Sequence, residues 1–164
     1  MMIMDELTIR EHHLIRLMRP EDLDQVMAIE RASFESPWTK NNFFDEFKNS
    51  DLSTQLVMEF DHHIIAFAIV WAIIDECHLA NIAVHPDCRR KGVAEILLNK
   101  IISIARDRNC KKIMLEVRKS NEPAIQLYNK YCFEKVGVRK NYYYDGFMRQ
   151  EDAVLMDLNL TNEE

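Results

Sequence analysis

Arg89-Arg90-Lys91-Gly92, Glu116 and Tyr128 are the residues of this chain whose types and spacing could do chemistry. The first group places three cations just before an amphipathic stretch, Val93, Ala94, Ile96, Leu97, Leu98, Ile101, Ile102 and Ala105, whose apolar residues recur at helical spacing. A helix N-terminus already carries unpaired backbone N–H groups and the positive end of the dipole, so three bases there are unfavourable unless an anion joins them. Gly92 lacks the Cβ that would hold a phosphate off the backbone, and Ala94 lets the first turn lie close to a ligand and the sheet. The pattern is neither the Gly-x-x-x-x-Gly-Lys-Ser/Thr phosphate loop nor the Gly-x-Gly-x-x-Gly dinucleotide fingerprint. One short loop therefore holds the anion, if the bases are not simply a solvated surface.

Glu116 stands in an apolar run, Ile113, Met114, Leu115, Glu116, Val117, that a crossover strand should largely bury. A buried carboxylate is costly unless paired or used, and burial raises its pKa toward that of a general base. The alternative is that Glu116 faces the open side of the sheet or pairs with Arg118. Tyr128 follows on a helix that packs back over the same sheet, where a phenol either donates a proton to a thiol or amine or serves only packing. Together, an anion loop after one strand, a carboxylate on its parallel neighbour and a phenol on the next helix surround one cleft at a strand carboxyl end.

The elements that must position these groups are legible in order. Residues before about His13 read as an extension or the start of a first strand, and methionines at 1, 2 and 4 leave the start open. Residues 14–18 read as a short strand, and Arg19-Pro20-Glu21-Asp22 opens a helix whose face holds Leu23, Val26, Met27 and Glu30. After Glu35-Ser36-Pro37, Trp38 and Thr39 introduce a second helix with Phe43, Phe44 and Phe47 on one side. Residues 52–60 and 64–74 read as strands joined at Asp61-His62-His63, and 77–84 as a third, giving an antiparallel meander. A helix over 93–109 then leads to a strand at 112–117, which should lie parallel to 77–84 because strand, helix, strand is a crossover. A helix over 124–131 follows, and a hairpin of 136–144 and 153–160, turning at Asp145-Gly146, closes an α/β sheet of seven strands.

With 164 residues, 48% of them hydrophobic, the chain suits one core rather than two, so residues 14–164 are expected to form a single domain. The longest uncharged apolar run, residues 64–74, is too short to span a bilayer, and the acidic start does not look like a secretory signal, so a cytoplasmic protein without a membrane partner is expected. Cys77, Cys88, Cys110 and Cys132 form no Cys-x-x-Cys pair and the histidines add no ligand spacing, which points to reduced thiols and no metal. A net charge of -6 argues against a nucleic-acid binder and leaves room for a basic partner.

From Leu14 to Leu160 the sequence resembles the GCN5-related N-acetyltransferase (GNAT) superfamily. Arg89-Arg90-Lys91-Gly92-Val93-Ala94 matches its Arg/Gln-x-x-Gly-x-Gly/Ala signature. Ser36-Pro37-Trp38, Asn81-Ile82-Ala83-Val84-His85-Pro86, Leu115-Glu116-Val117-Arg118, Ser120-Asn121, Ala124-Ile125-x-Leu127-Tyr128, Asn141-Tyr142-Tyr143 and Glu151-Asp152-Ala153 are similar to its RimI type, the ribosomal-protein alanine N-acetyltransferases. The resemblance implies a mixed, mostly antiparallel seven-stranded sheet flanked by about four helices, with a parallel pair splayed around acetyl-CoA. It implies the pyrophosphate on backbone amides of Arg90, Lys91, Gly92, Val93, Ala94 and Glu95, beside the Arg89 side, and the pantetheine arm along Ile82, Ala83 and Val84. It also implies Glu116 as general base, Tyr128 as the acid for the departing thiolate, Asn121 as a cofactor contact, and a small-subunit ribosomal protein N-terminus as acceptor. Trp38, Tyr142 and Tyr143, on loops flanking the amine end of the cleft, are candidates for gripping the peptide or for plain aromatic packing.

Two positions depart from the family pattern. Ala94 stands where a second glycine is frequent, which the signature permits. Cys132 replaces a glycine usual after the tyrosine helix, so the helix end and the placement of Tyr128 are expected to be altered. The same chemistry on a small amine or lysine, and a non-catalytic acetyl-CoA sensor, are the rival readings; a monomer or weak homodimer is expected.

Overall fold

A computed structural model describes residues 4–144, 146, 147 and 149–161. Among them the chain forms α1 (Glu6–His12), β1 (Leu14–Leu17), α2 (Leu23–Ser33), α3 (Lys40–Lys48), β2 (Ser53–Phe60), β3 (His63–Ile73), β4 (Glu76–Val84), α4 (Val93–Asp107), β5 (Lys112–Arg118), α5 (Glu122–Lys130), β6 (Glu134–Tyr144) and β7 (Gln150–Asn159). The strands make one sheet in the order β1-β2-β3-β4-β5-β7-β6. Every neighbouring pair is antiparallel except β4 and β5, which run parallel as a crossover through α4 requires. Asp145, half of the expected turn, lies outside the described residues, as do residues 1–3.

The described part of the segment before His13, residues 4–12, is a correction. It is neither an extension nor a strand but helix α1, with Asp5 accepting from the Thr8 N–H as N-cap and Ile9 fully buried. A single buried residue over two turns leaves no helical periodicity to read, which is why the sequence hid it.

The sheet is covered differently on its two faces. One face carries α1, α4 and α5 over a continuous cluster in which Leu97, Leu98 and Ile101 are fully buried. Burial of each such side chain contributes about 1.5–3 kcal/mol. On the other face α2 and α3 cover β2, β3 and β4 through Val26, Ile29, Phe43 and Phe67. That leaves alternate residues of β5, Met114, Glu116 and Arg118, less buried than Ile113, Leu115 and Val117 between them.

The hairpins follow their turn chemistry unevenly. Asp61 (φ 48°) and His62 (φ 64°) both take positive φ in the two-residue loop between Phe60 and His63, the primed turn that suits twisted strands. The next loop puts Ile74 at φ 58°, although it is β-branched and 95% exposed. Such a residue loses left-handed strain and little burial on replacement. Ile74→Gly is therefore expected to stabilise the fold by about 1 kcal/mol and raise Tm by roughly 2–4 °C, measured by thermal unfolding. An unchanged or lower Tm contradicts this.

Candidate active site

The parallel pair opens where the loop chemistry needs it to. β4 and β5 are paired from Glu76↔Lys112 to Leu79↔Leu115 and no further. On its other side β4 pairs Val70↔Leu79 and then Ile69↔Asn81, so Ala80 is an extra residue, a bulge that bends the strand as it leaves β5. Beyond it Ile82, Ala83 and Val84 pair with no strand but β3, and their other edge faces Glu116, Val117 and Arg118 of β5 across a wedge. An open strand edge of this kind accepts an extended chain by adding a strand.

The basic loop closes the top of the wedge. A 3-10 turn over Pro86–Cys88 leads to Arg90 at φ 61° and Gly92 at φ 73°, the N-cap of α4. No side chain caps this helix, and Ile96 is the first residue to donate into it, to the Gly92 carbonyl at 3.1 Å. The N–H groups of Val93, Ala94 and Glu95 are thus left for an anion. The three cations do not all serve it. Arg89 is folded back, Nε donating to Val84 O at 3.1 Å and Nη2 to Ser33 Oγ at 3.0 Å, and Lys91 donates to Asp87 O at 2.8 Å. Arg90 makes no hydrogen bond or ion pair among the described residues. The uncapped amides and the missing Cβ of Gly92 fit a phosphate group.

Glu116 corrects the expectation of burial. It is exposed on the open face of β5, and its carboxylate pairs with Arg139 of β6 at 3.1 Å rather than with Arg118. Arg118 pairs instead with Glu151 at 3.3 Å and lies over the Tyr143 ring at 4.5 Å. Tyr128, on α5, has its ring buried against Phe133 at 5.5 Å. Burial pushes its phenol well above the ordinary tyrosine range, with the neighbouring Tyr143 adding to the shift. Its hydroxyl has no protein partner among the described residues, and none of their buried side-chain polar atoms is left unsatisfied. Tyr143 is pushed up to about 12 by burial and then by the Glu116 carboxylate. Tyr142 is exposed, meets the Tyr143 ring edge to face at 5.1 Å and carries Arg139 over its ring at 4.6 Å.

Trp38 is brought to the other flank. It packs on Phe43 at 5.3 Å and lines a cavity of about 330 Å³ with Asn42, Asp45, Glu46 and Trp71. Ser36 Oγ donates to the Tyr144 carbonyl at 3.0 Å, which ties the Trp38 loop to the end of β6.

The Acetyltransferase (GNAT) family model matches residues 23–132. The chain belongs to the GNAT acetyltransferase family. A [ribosomal protein bS18]-alanine N-acetyltransferase of Salmonella typhimurium is 35% identical over 147 residues, 90% of this chain and 97% of that one. An N-alpha-acetyltransferase of Saccharolobus solfataricus is 36% identical over 155 residues, 87% of this chain and 90% of its own length. The crystal structure of the Escherichia coli ribosomal-protein-S18-alanine N-acetyltransferase superposes with a TM-score of 0.84 at 31% identity, covering 93% of this chain and 96% of the other. GNAT enzymes use acetyl-CoA.

In this GNAT chain the helix end after Tyr128 is kept, which corrects the expectation for Cys132. Cys132 adopts φ 65° as a glycine would, and the Phe133 N–H returns to the Tyr128 carbonyl at 3.0 Å. Asn121 is the N-cap of α5, its oxygen accepting from Ala124 N at 3.3 Å, so only its amide nitrogen is available to a ligand. Cys77, Cys88 and Cys110 are buried free thiols and Cys132 is an exposed one. Among the described residues no group of three or more His, Cys, Asp or Glu is placed to hold a metal, and no helix is long and apolar enough to cross a membrane.

Sequence reasoning missed Glu30. It is 1% exposed, accepts from the Trp38 N–H at 2.8 Å and from Asn81 Nδ2 at 2.9 Å, and so joins α2, the Trp38 loop and the bulged part of β4. An acid on the face otherwise made of Leu23, Val26 and Met27 was the available signal. Glu30→Ala leaves two donors without a partner and is expected to destabilise by about 3 kcal/mol in denaturant unfolding. Burial raises the Glu30 pKa. An acid raised in the folded state costs stability as pH climbs from its unfolded value, about 4.3, through the raised one, and Glu30→Gln should lack that loss.

Proposed function

We propose that this chain is a cytoplasmic protein N-terminal α-amino acetyltransferase, moving acetyl from acetyl-CoA to the N-terminal alanine of a small-subunit ribosomal protein by direct attack. The observation that carries the reading is the wedge itself: an open β4 edge and uncapped α4 amides on one side, and on the other Glu116 on β5, paired with Arg139, and Tyr128 on the helix that follows β5. Identity to the Salmonella typhimurium enzyme over nine-tenths of the chain supports the acceptor.

Backbone amides of Arg90 to Glu95, with the Arg90 side chain and Asn121 Nδ2, would hold the cofactor's polar groups, and Ile82, Ala83 and Val84 would pair with its extended arm. When bound, acetyl-CoA supplies a thioester carbonyl to an incoming amine. An α-amine with a pKa of about 7.7–8 must first be neutral, and Glu116 accepts its proton, held in place by Arg139. Solvent access to Glu116 lets that proton leave directly or through one water. Burial keeps the Tyr128 phenol neutral, so its O–H would donate a hydrogen bond to the departing sulfur, and the proton the thiolate takes up would come ultimately from the acceptor amine. Trp38 and the Tyr142-Tyr143 pair flank the amine end, where their rings grip the peptide. The net charge of -6 suits a basic ribosomal tail.

Acetyl transfer to a peptide beginning Ala-Arg tests this, beside the same peptide with its N-terminus blocked and its lysines free. Transfer only to the free N-terminus supports the reading. Transfer to both moves the enzyme toward lysine or broad amine acetylation, and transfer to neither, with acetyl-CoA bound, points to another acceptor.

A further inference from the structure

We propose that Arg10, carried by α1, is a phosphate ligand of bound CoA that Glu6 holds in waiting beside Gly92. This rests on the acetyl-CoA reading above. Gly92 has no Cβ, and the space one would fill is taken by two side chains from α1: Arg10 Nη2 lies 2.9 Å and Glu6 Oε1 3.2 Å from that position. The two are an ion pair, with Arg10 Nη2 at 2.9 Å and Nε at 3.0 Å from the same carboxylate oxygen. Both heads are about half exposed, at 43% and 55% of the side chain, so the pair is screened and free to exchange partners.

Their backbone, by contrast, is fixed. Ile9 is fully buried in the cluster under α4, and Met4 Sδ meets Cys88 Sγ at 3.1 Å just before the basic loop. The surrounding charges are Asp5 near Lys91, and Glu95 and Lys130, which pair with each other and both feel Arg10. Arg89 and Lys91 each spend donors on protein oxygens, which leaves Arg90 as the loop's cation without a protein partner among the described residues for a ligand with several phosphate charges. Arg10 is the next cation. A phosphate, with more charge and a geometry that takes two guanidinium N–H groups, outcompetes a single exposed carboxylate. Glu6 is the placeholder, and its charge opposes the ligand until Arg10 turns.

The test is calorimetric titration of the full chain with CoA and with dephospho-CoA, in the absence of acceptor and turnover. Arg10→Gln is expected to weaken CoA binding about tenfold and Arg10→Lys by less, whereas Glu6→Gln tightens it roughly twofold to threefold by removing the rival carboxylate. Equal loss for both ligands assigns the contact to the pyrophosphate, and loss for CoA alone assigns it to the terminal phosphate; either supports the proposal. Wild-type affinity in Arg10→Gln overturns it, as does weakening by Glu6→Gln, which a purely structural pair would show. If the wild-type chain binds no CoA, the acetyl-CoA reading falls together with this one; if it binds and Arg10→Gln is unaltered, only this one falls.

Discussion

Glu116→Gln is expected to lower kcat about 10²–10³-fold while the Kd for acetyl-CoA stays within roughly twofold. The amide keeps the size and the outward position of the side chain on β5 but cannot accept a proton from the acceptor amine. Because Glu116 lies on the open face, away from the uncapped amides of α4, cofactor binding does not depend on its charge. The substitution also releases Arg139, whose guanidinium then keeps only its contact with the Tyr142 ring. Arg139→Ala separates the two effects: it should reduce the rate by less than Glu116→Gln, since the base remains and only its positioning is lost. Equal rates for wild type and Glu116→Gln, in a protein that still acetylates, would remove Glu116 from the mechanism.

Gly92→Val is expected to weaken acetyl-CoA binding at least tenfold and to destabilise the fold by about 2 kcal/mol. Two causes act at one position. Valine is a poor occupant of φ 73°, and its Cβ would stand 2.9 Å from Arg10 Nη2. The Arg10 head is flexible and can retreat; the backbone strain cannot be relieved without rotating the amides that precede α4. Gly92→Ala should therefore show the stability loss in milder form. Calorimetry for affinity and denaturant unfolding for stability read the two separately, and normal affinity in Gly92→Val would show that the loop does not hold the cofactor.

Much of this was legible because the chain marks its own boundaries. Pro86 stops a strand, Gly92 starts a helix, and the apolar residues of α4 recur every three to four positions, so the crossover and its loop follow from the sequence. Glu116 was left between burial and the open face for a physical reason. Ile113, Leu115 and Val117 already alternate with it, but a crossover strand is expected to be covered on both faces, and here α2 and α3 stop at β4. The Glu30 bridge was out of reach. Its partners are 8 and 51 residues away, and only the folded sheet brings the Trp38 loop and the β4 bulge to the same carboxylate. Cys132 shows the converse: the helix-end geometry tolerates a residue other than glycine at φ 65°, so a departure from the family pattern left the end of the Tyr128 helix closed by the Phe133 N–H.

The order of strands also sets when the enzyme becomes competent. β7 lies between β5 and β6, and Glu116 on β5 pairs with Leu155 on β7. During synthesis the basic loop and the strand it follows emerge before β7, the strand that supports Glu116. A nascent chain can therefore complete the meander and the α4 turn before it has the wall that holds Glu116 and Arg139. Catalytic activity should arrive abruptly with the closing strand rather than grow with chain length.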